Sequence, residues 1–200
     1  FEQAGYDLEV EDYHFTILLG NPEKTMLQLN KGYSGDGGIP GYLMLSLLPN
    51  DYTLPRVQAA LAHECNHNVR FQFIKWNQQT TLADWVVSEG LAESFAAELY
   101  GKDLIGPWVT STSPEQLEEI KPIISSQLQL TGMAEMAPYL YGDEIAKIQG
   151  QIPVGMPYAA GYAYGYHLIQ AYLKKTGKSI IEATVTPTEE ILETTKDFWQ

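Results

Sequence analysis

Hydrophobic positions change their spacing near residue 50, and the change divides the chain in two. Before that point the apolar residues come in short runs. Residues 13–19 are aromatic and β-branched and end at Gly20-Asn21-Pro22, so they predict a strand closed by a turn. Residues 30–41 hold five glycines with Asp36 and Pro40, and they predict a loop. A second strand is expected over 42–48, stopped by Pro49-Asn50-Asp51. Beyond it the spacing becomes helical. Thr53 is placed to cap a helix whose first turn tolerates Pro55, and Val57, Leu61, Cys65 and Val69 recur every fourth position in a helix to about residue 76.

Asn77-Gln78-Gln79 breaks that helix. Thr81 followed by Asp84 resembles a capping box and opens a second helix over about 82–100, with Gly101 where a terminating glycine belongs. More helical sequence starts at Ser113-Pro114-Glu115, with interruptions expected at Pro122, Gly132 and Pro138. Further helices are expected over about 157–175, ended by Gly177, and over 188–195. Strands first and helices afterwards predict an α+β fold. It comprises a small N-terminal mixed or antiparallel sheet (1–50) and a mainly helical part (53–200), within one domain.

Composition narrows the function. The formal net charge is −13, with 12 Lys and Arg against 25 Asp and Glu, which argues against nucleic-acid binding because phosphates need a clustered basic surface. No apolar run approaches the roughly 18 residues of a membrane span. The single cysteine, Cys65, fits a reducing compartment, and the expected location is the cytoplasm. No signal peptide is visible, although a chain beginning at Phe1 is open to having been trimmed.

The chemistry concentrates in His63-Glu64-Cys65-Asn66-His67 on the first predicted helix. Histidines four apart lie one turn above each other, so both imidazoles can reach one zinc ion about 2.0–2.1 Å away. Glu64, rotated by roughly 100°, is placed to take a proton from zinc-bound water without ligating. Along the second helix, Glu89 and Glu93 interrupt a stripe made by Leu82, Val86, Ala96 and Tyr100. Acids on such a stripe need a strong partner. Glu89 suits a third zinc ligand that leaves a position open for water, and Glu93, one turn on, can orient a ligating imidazole. The alternative is a pair of solvated acids.

The string Ser88-Glu89-Gly90-Leu91-Ala92-Glu93 resembles the third-ligand helix of the gluzincin metallopeptidases. More closely, the chain resembles the bacterial predicted zinc-dependent proteases (YjaZ-like), over about residues 40–175. It shares their H-E-x-x-H, their S-E-G-x-A-E segment and a C-terminal G-Y-x-x-G-Y, here Gly161 to Tyr166. The resemblance implies a zincin-like fold and a zinc metallopeptidase cutting peptide bonds by Glu64-assisted attack of zinc-bound water. It also implies that residues 42–48 are an edge strand for an extended substrate, although an ordinary core strand fits the same residues. Tyr162, Tyr166 and His167 are the candidate oxyanion donors, Tyr162 first. Glycines 161 and 165 could equally mark helix packing, with the tyrosines as core residues. Cys65 is expected to be a small buried residue. A second function fits the same motifs: a zincin-like domain that binds peptides or proteins without cutting them.

Overall fold

The computed structural model describes residues 13–200, and β1, His14–Leu19, is its first element. A short helix α1 (Thr25–Leu29) leads to β2 (Tyr33–Ile39) and β3 (Tyr42–Leu47). β3 is the central strand, parallel to β1 and antiparallel to β2. The sheet is therefore mixed. Leu43, Leu45 and Leu47 alternate onto its buried face, while Tyr42 and Met44 stay exposed, the two-residue period a half-covered sheet requires.

Two expectations change here. Residues 33–39 form a strand rather than a loop, because a glycine-rich backbone still pairs when a neighbour on one side supplies the ladder. Tyr33 pairs with Leu47 and Asp36 with Met44, and the register slips between Asp36 and Ile39, where Gly37 and Gly38 lie. The strand over 42–47 is consequently interior, so the open edge beside the helices belongs to β2.

Thr53 caps no helix through its side chain. Its hydroxyl instead donates to the Leu48 carbonyl at 2.7 Å and accepts from the Asn50 amide, bracing the turn before a 3₁₀ segment, Leu54–Arg56. α2 (Val57–Phe73) follows and stops at Ile74, which is extended. Its burial extends well beyond the expected stripe, of which Val69 is fully buried and Val57 half-buried. Leu61 and Cys65 are only half-buried, whereas Ala62, His63, Glu64, Asn66, His67, Asn68 and Arg70 are buried. Polar side chains face the protein alongside Ala59, Ala60, Ala62 and Val69.

α3 (Leu82–Tyr100) opens with the Thr81–Asp84 capping box, the Asp84 carboxylate accepting the Thr81 amide at 2.9 Å. Apart from Asp84 and Trp85 it is buried on every side from Leu82 to Ala97, so it is the central helix of the fold rather than an amphipathic one. α8 (Ala160–Thr176) crosses it at glycines. A side chain on Gly90 would run into the Gly165 carbonyl, and one on Gly165 into the Val86 carbonyl. Close helix contact is thus what Gly165 provides, at some cost in helix propensity. α8 starts at Ala160, not 157, because Ala159 takes a left-handed conformation at φ 54°.

Between them lie α4 (Pro107–Thr110), α5 (Pro114–Ser125), α6 (Met133–Tyr141) and α7 (Asp143–Ile148). Pro122 and Pro138 sit inside α5 and α6, each removing one ladder hydrogen bond without ending the helix. α9 (Ile180–Thr184), α10 (Thr188–Thr194) and α11 (Lys196–Trp199) close the chain. The architecture is α+β. Among the described residues, no helix is long and apolar enough to cross a membrane.

Candidate metal centre and active-site cleft

At about 100° per residue, α2 presents three neighbouring polar strips to three partners. His63 and His67 face α3, Glu64 and Asn68 face β2, and Asn66 and Arg70 face the α9–α10 turn. α3 runs antiparallel to α2, so successive turns set His63 beside Glu93 and His67 beside Glu89.

Three atoms form a nearly equilateral triangle. His63 Nε2 lies 3.2 Å from His67 Nε2 and 3.2 Å from Glu89 Oε2, and His67 Nε2 lies 3.3 Å from Glu89 Oε2. A tetrahedral ion with bonds of about 2.0–2.1 Å needs ligand atoms separated by about 3.3–3.4 Å. The spacing fits zinc. The proton inventory fits as well. His63 Nδ1 donates to Glu93 Oε2 at 2.8 Å, and His67 Nδ1 lies 3.1 Å from the Ser88 hydroxyl, which can accept its proton. In the neutral rings both Nε2 lone pairs then face a carboxylate oxygen, an arrangement of acceptors that asks for a cation. These three residues are a group that could hold a metal ion.

Glu93 is held as firmly as it holds. Its Oε1 accepts the Gly106 amide at 2.6 Å, and its Oε2 also accepts Trp108 Nε1–H at 2.7 Å. Burial works against a charge on His63, but Glu89 and Glu93 at its two nitrogens outweigh it and hold the imidazole well above its ordinary value. Burial likewise opposes ionisation of Glu89, yet His67 and His63 draw its carboxyl down to about 2.

Glu64 sits between this triangle and β2, where it lines a cavity of about 840 Å³ with His63, His67 and Glu89. A Cβ at Gly35 would strike its carboxylate, and one at Gly37 its backbone carbonyl, so the glycines of β2 are what let the strand approach. Burial pushes the Glu64 carboxyl up, with His63 and His67 opposing. One turn further on, Asn68 pins the end of β2. Its Nδ2 donates to the carbonyls of Gly37 at 2.8 Å and Ile39 at 2.9 Å, and its Oδ1 accepts the Gly41 amide at 2.7 Å.

Of the three expected donors, Tyr162 lines the cavity, with the ring of Tyr141 6.0 Å away and Tyr158 also on the wall. Burial, then Glu89, raises the Tyr162 hydroxyl well above its ordinary value. The same two causes push Tyr141 up to about 12, a hydrogen bond with Tyr162 opposing them. Both phenols therefore keep their protons at neutral pH and can donate. Tyr166 and His167 do not line the cavity. Tyr166 packs in the buried cluster that holds Trp108 and Ala159, and His167 is half-buried, its imidazole lowered by burial and by Lys121. Cys65 is half-buried rather than fully buried.

Sequence reasoning passed over Asn68, Ser88, Trp108 and Tyr141. Asn68 had a signal, since it lies four positions after Glu64 and so on its strip. Trp108 and Tyr141 had none, because only folding brings them near the histidines.

A family model described as "Predicted Zn-dependent protease" matches residues 1–193, a wider span than the motifs alone had suggested. Two curated relatives come from Bacillus subtilis (strain 168), and both are described as uncharacterized. YjfC is 41% identical over 184 residues, covering 92% of this chain and 61% of its own length. YjaZ is 27% identical over 154 residues, covering 75% of this chain and 55% of its own. The chain thus spans little more than half to three-fifths of these relatives. No solved structure matches it significantly.

Proposed function

The chain belongs to the family of predicted Zn-dependent proteases, and on that premise we propose that its cleft hydrolyses peptide bonds with His63, His67 and Glu89 as zinc ligands. The observation that carries this reading is the triangle of two imidazole nitrogens and one carboxylate oxygen at 3.2–3.3 Å, with a second carboxylate, Glu64, on the same cavity wall. A bound zinc ion supplies Lewis-acid polarisation and makes water a nucleophile near neutral pH.

The chain's own residues do the rest. Glu64, its proton affinity raised by burial, accepts a proton from the attacking water and returns it to the leaving amine. The Tyr162 hydroxyl, backed by Tyr141, donates to the oxygen on which negative charge develops. Glu93 fixes the orientation and tautomer of His63 through its Nδ1 proton. The peptide lies extended along β2, a terminal strand of the sheet, pairing with its main chain ahead of the end that Asn68 holds.

The experiment measures zinc content alongside cleavage of a fluorogenic peptide library, with and without chelator. Stoichiometric zinc and chelator-sensitive cleavage are expected, and Glu64→Gln should keep the zinc while losing about 10²- to 10⁴-fold in rate. Full activity in Glu64→Gln would overturn the assigned base, and a protein that takes up no zinc would overturn the reading as a whole.

A further inference from the structure

The ligand-bearing helices place more than ligands on the cavity wall. Phe71 lies one turn beyond His67 on α2, and Trp85 lies one turn before Glu89 on α3. Because the helices are antiparallel, both turns fall at the same end of the metal triangle, and Trp76 from the connecting loop stands between them. The rings form a continuous row. Phe71 stacks on His67 at 5.8 Å and 13°, Trp76 follows at 4.7 Å, and Trp85 at 4.7 Å edge-on. All three aromatics are half-buried and line the cavity that contains the triangle, and Met133 and Ala137 of α6 add to its apolar lining. Rings serving only as core would be buried by their neighbours; these leave part of their surface to the cavity.

Distance and charge say what they meet. One helical turn is about 5.4 Å, comparable to the reach from a scissile carbonyl to the side chain of an adjoining residue in an extended peptide at about 3.4 Å per residue. The ionisable side chains lining the cavity are Asp36, Glu64, Glu89, the two histidines and tyrosines; neither Lys nor Arg is among its lining residues. An acidic side chain would find carboxylates and no cation.

We propose that Phe71, Trp76 and Trp85 form the specificity subsite of this cleft, taking a large apolar side chain, aromatic or long aliphatic, next to the bond that is cut. The proposal rests on the peptidase reading above and names its substrate class. Burying such a side chain against these rings is worth about a tenfold to hundredfold preference over alanine.

The test uses one fluorogenic peptide sequence in which the residues flanking the cleaved bond are varied as Phe, Leu, Ala or Glu. The ratio of kcat/KM for Phe over Ala is expected to be about 10 to 100, with Glu below Ala. Trp76→Ala should bring the Phe-to-Ala ratio close to one, and Trp76→Phe should restore most of it, with zinc content unchanged in both. Glu64→Gln protein is titrated in parallel with the same peptides by calorimetry. No cleavage of any peptide, with Phe still bound in preference to Ala and the preference lost in Trp76→Ala, would sink the peptidase reading and support the subsite. Cleavage with equal kcat/KM for Phe, Ala and Glu would overturn the subsite and leave the peptidase standing. Neither cleavage nor preferential binding would overturn both.

Discussion

α2 carries two clusters of buried polar groups within two turns of each other, and they use their hydrogen-bonding capacity in opposite ways. At Asn66 and Arg70, donors meet acceptors. Asn66 Nδ2 donates to the Thr184 hydroxyl at 2.9 Å, and the Arg70 guanidinium donates to the carbonyls of Thr184 and Thr186 and the Thr188 hydroxyl at 2.8–3.1 Å. At His63, His67 and Glu89, acceptors meet acceptors when the rings are neutral and their Nδ1 protons are committed to Glu93 and Ser88. In the first cluster protein oxygens receive Asn66 Nδ2 and both terminal guanidinium nitrogens, leaving only Asn66 Oδ1 and Arg70 Nε without a partner, and the cluster anchors the helix. The second is completed only by something positively charged. Burial of a charged residue is therefore a poor guide to function by itself, since Arg70 is 1% exposed and His63 is 4% exposed. The direction of the lone pairs separates them.

This contrast can be broken experimentally by showing that the two clusters respond alike. The largest difference is expected from Glu89→Ala, which should abolish stoichiometric zinc and with it peptide cleavage, while the protein remains folded by circular dichroism. Loss of folding comparable to that of an anchor variant would erase the distinction. Next comes Glu93→Gln. Its amide would turn an NH₂ group towards one of the three donors that Glu93 now accepts, from His63, Gly106 and Trp108. Zinc affinity should fall about 10- to 100-fold, read by competition with a chromogenic chelator.

Arg70→Met should behave in the reverse sense. It strands the Thr184 and Thr186 carbonyls and is expected to cost about 3 kcal/mol in denaturant unfolding. Zinc affinity of the folded protein should move less than in Glu93→Gln.

The smallest effect concerns pH and sharpens the comparison instead. In metal-free protein the raised His63 value contributes stability fully below its ordinary 6.5, and that contribution is lost as pH rises through the raised value. Glu89, lowered from 4.5 to about 2, contributes above 4.5 and loses its contribution as pH falls towards 2. Together these two groups contribute most to the stability of metal-free protein between about 4.5 and 6.5. Zinc must displace the His63 proton, so the rise in Tm on adding zinc should grow from about pH 6 to about pH 8. A zinc-induced shift independent of pH would mean that His63 holds no proton to lose.

Local rules carried the sequence a long way where spacing alone decides geometry. Histidines at i and i+4 meet one point on any helix, the Thr81–Asp84 box and Gly101 set the ends of α3, and alternation at 43, 45 and 47 set the buried face of β3. Those features depend on 3.6- and 2-residue periods that each segment possesses before it packs. The same rules misread residues 33–39, because glycines signal a loop until a neighbouring carboxylate needs the space that side chains would fill. They also found only part of the buried surface of α2, since Val69 is buried and Val57 and Leu61 pack against a core cluster, but much of the buried side is polar, with partners on α3, β2 and the α9–α10 turn. That Tyr141 and Tyr158 join Tyr162 at the cavity, that Trp108 braces Glu93, and that Phe71, Trp76 and Trp85 line up in one row were decided by tertiary structure alone. Each depends on the relative placement of segments far apart in the chain, which packing fixes and no local period encodes.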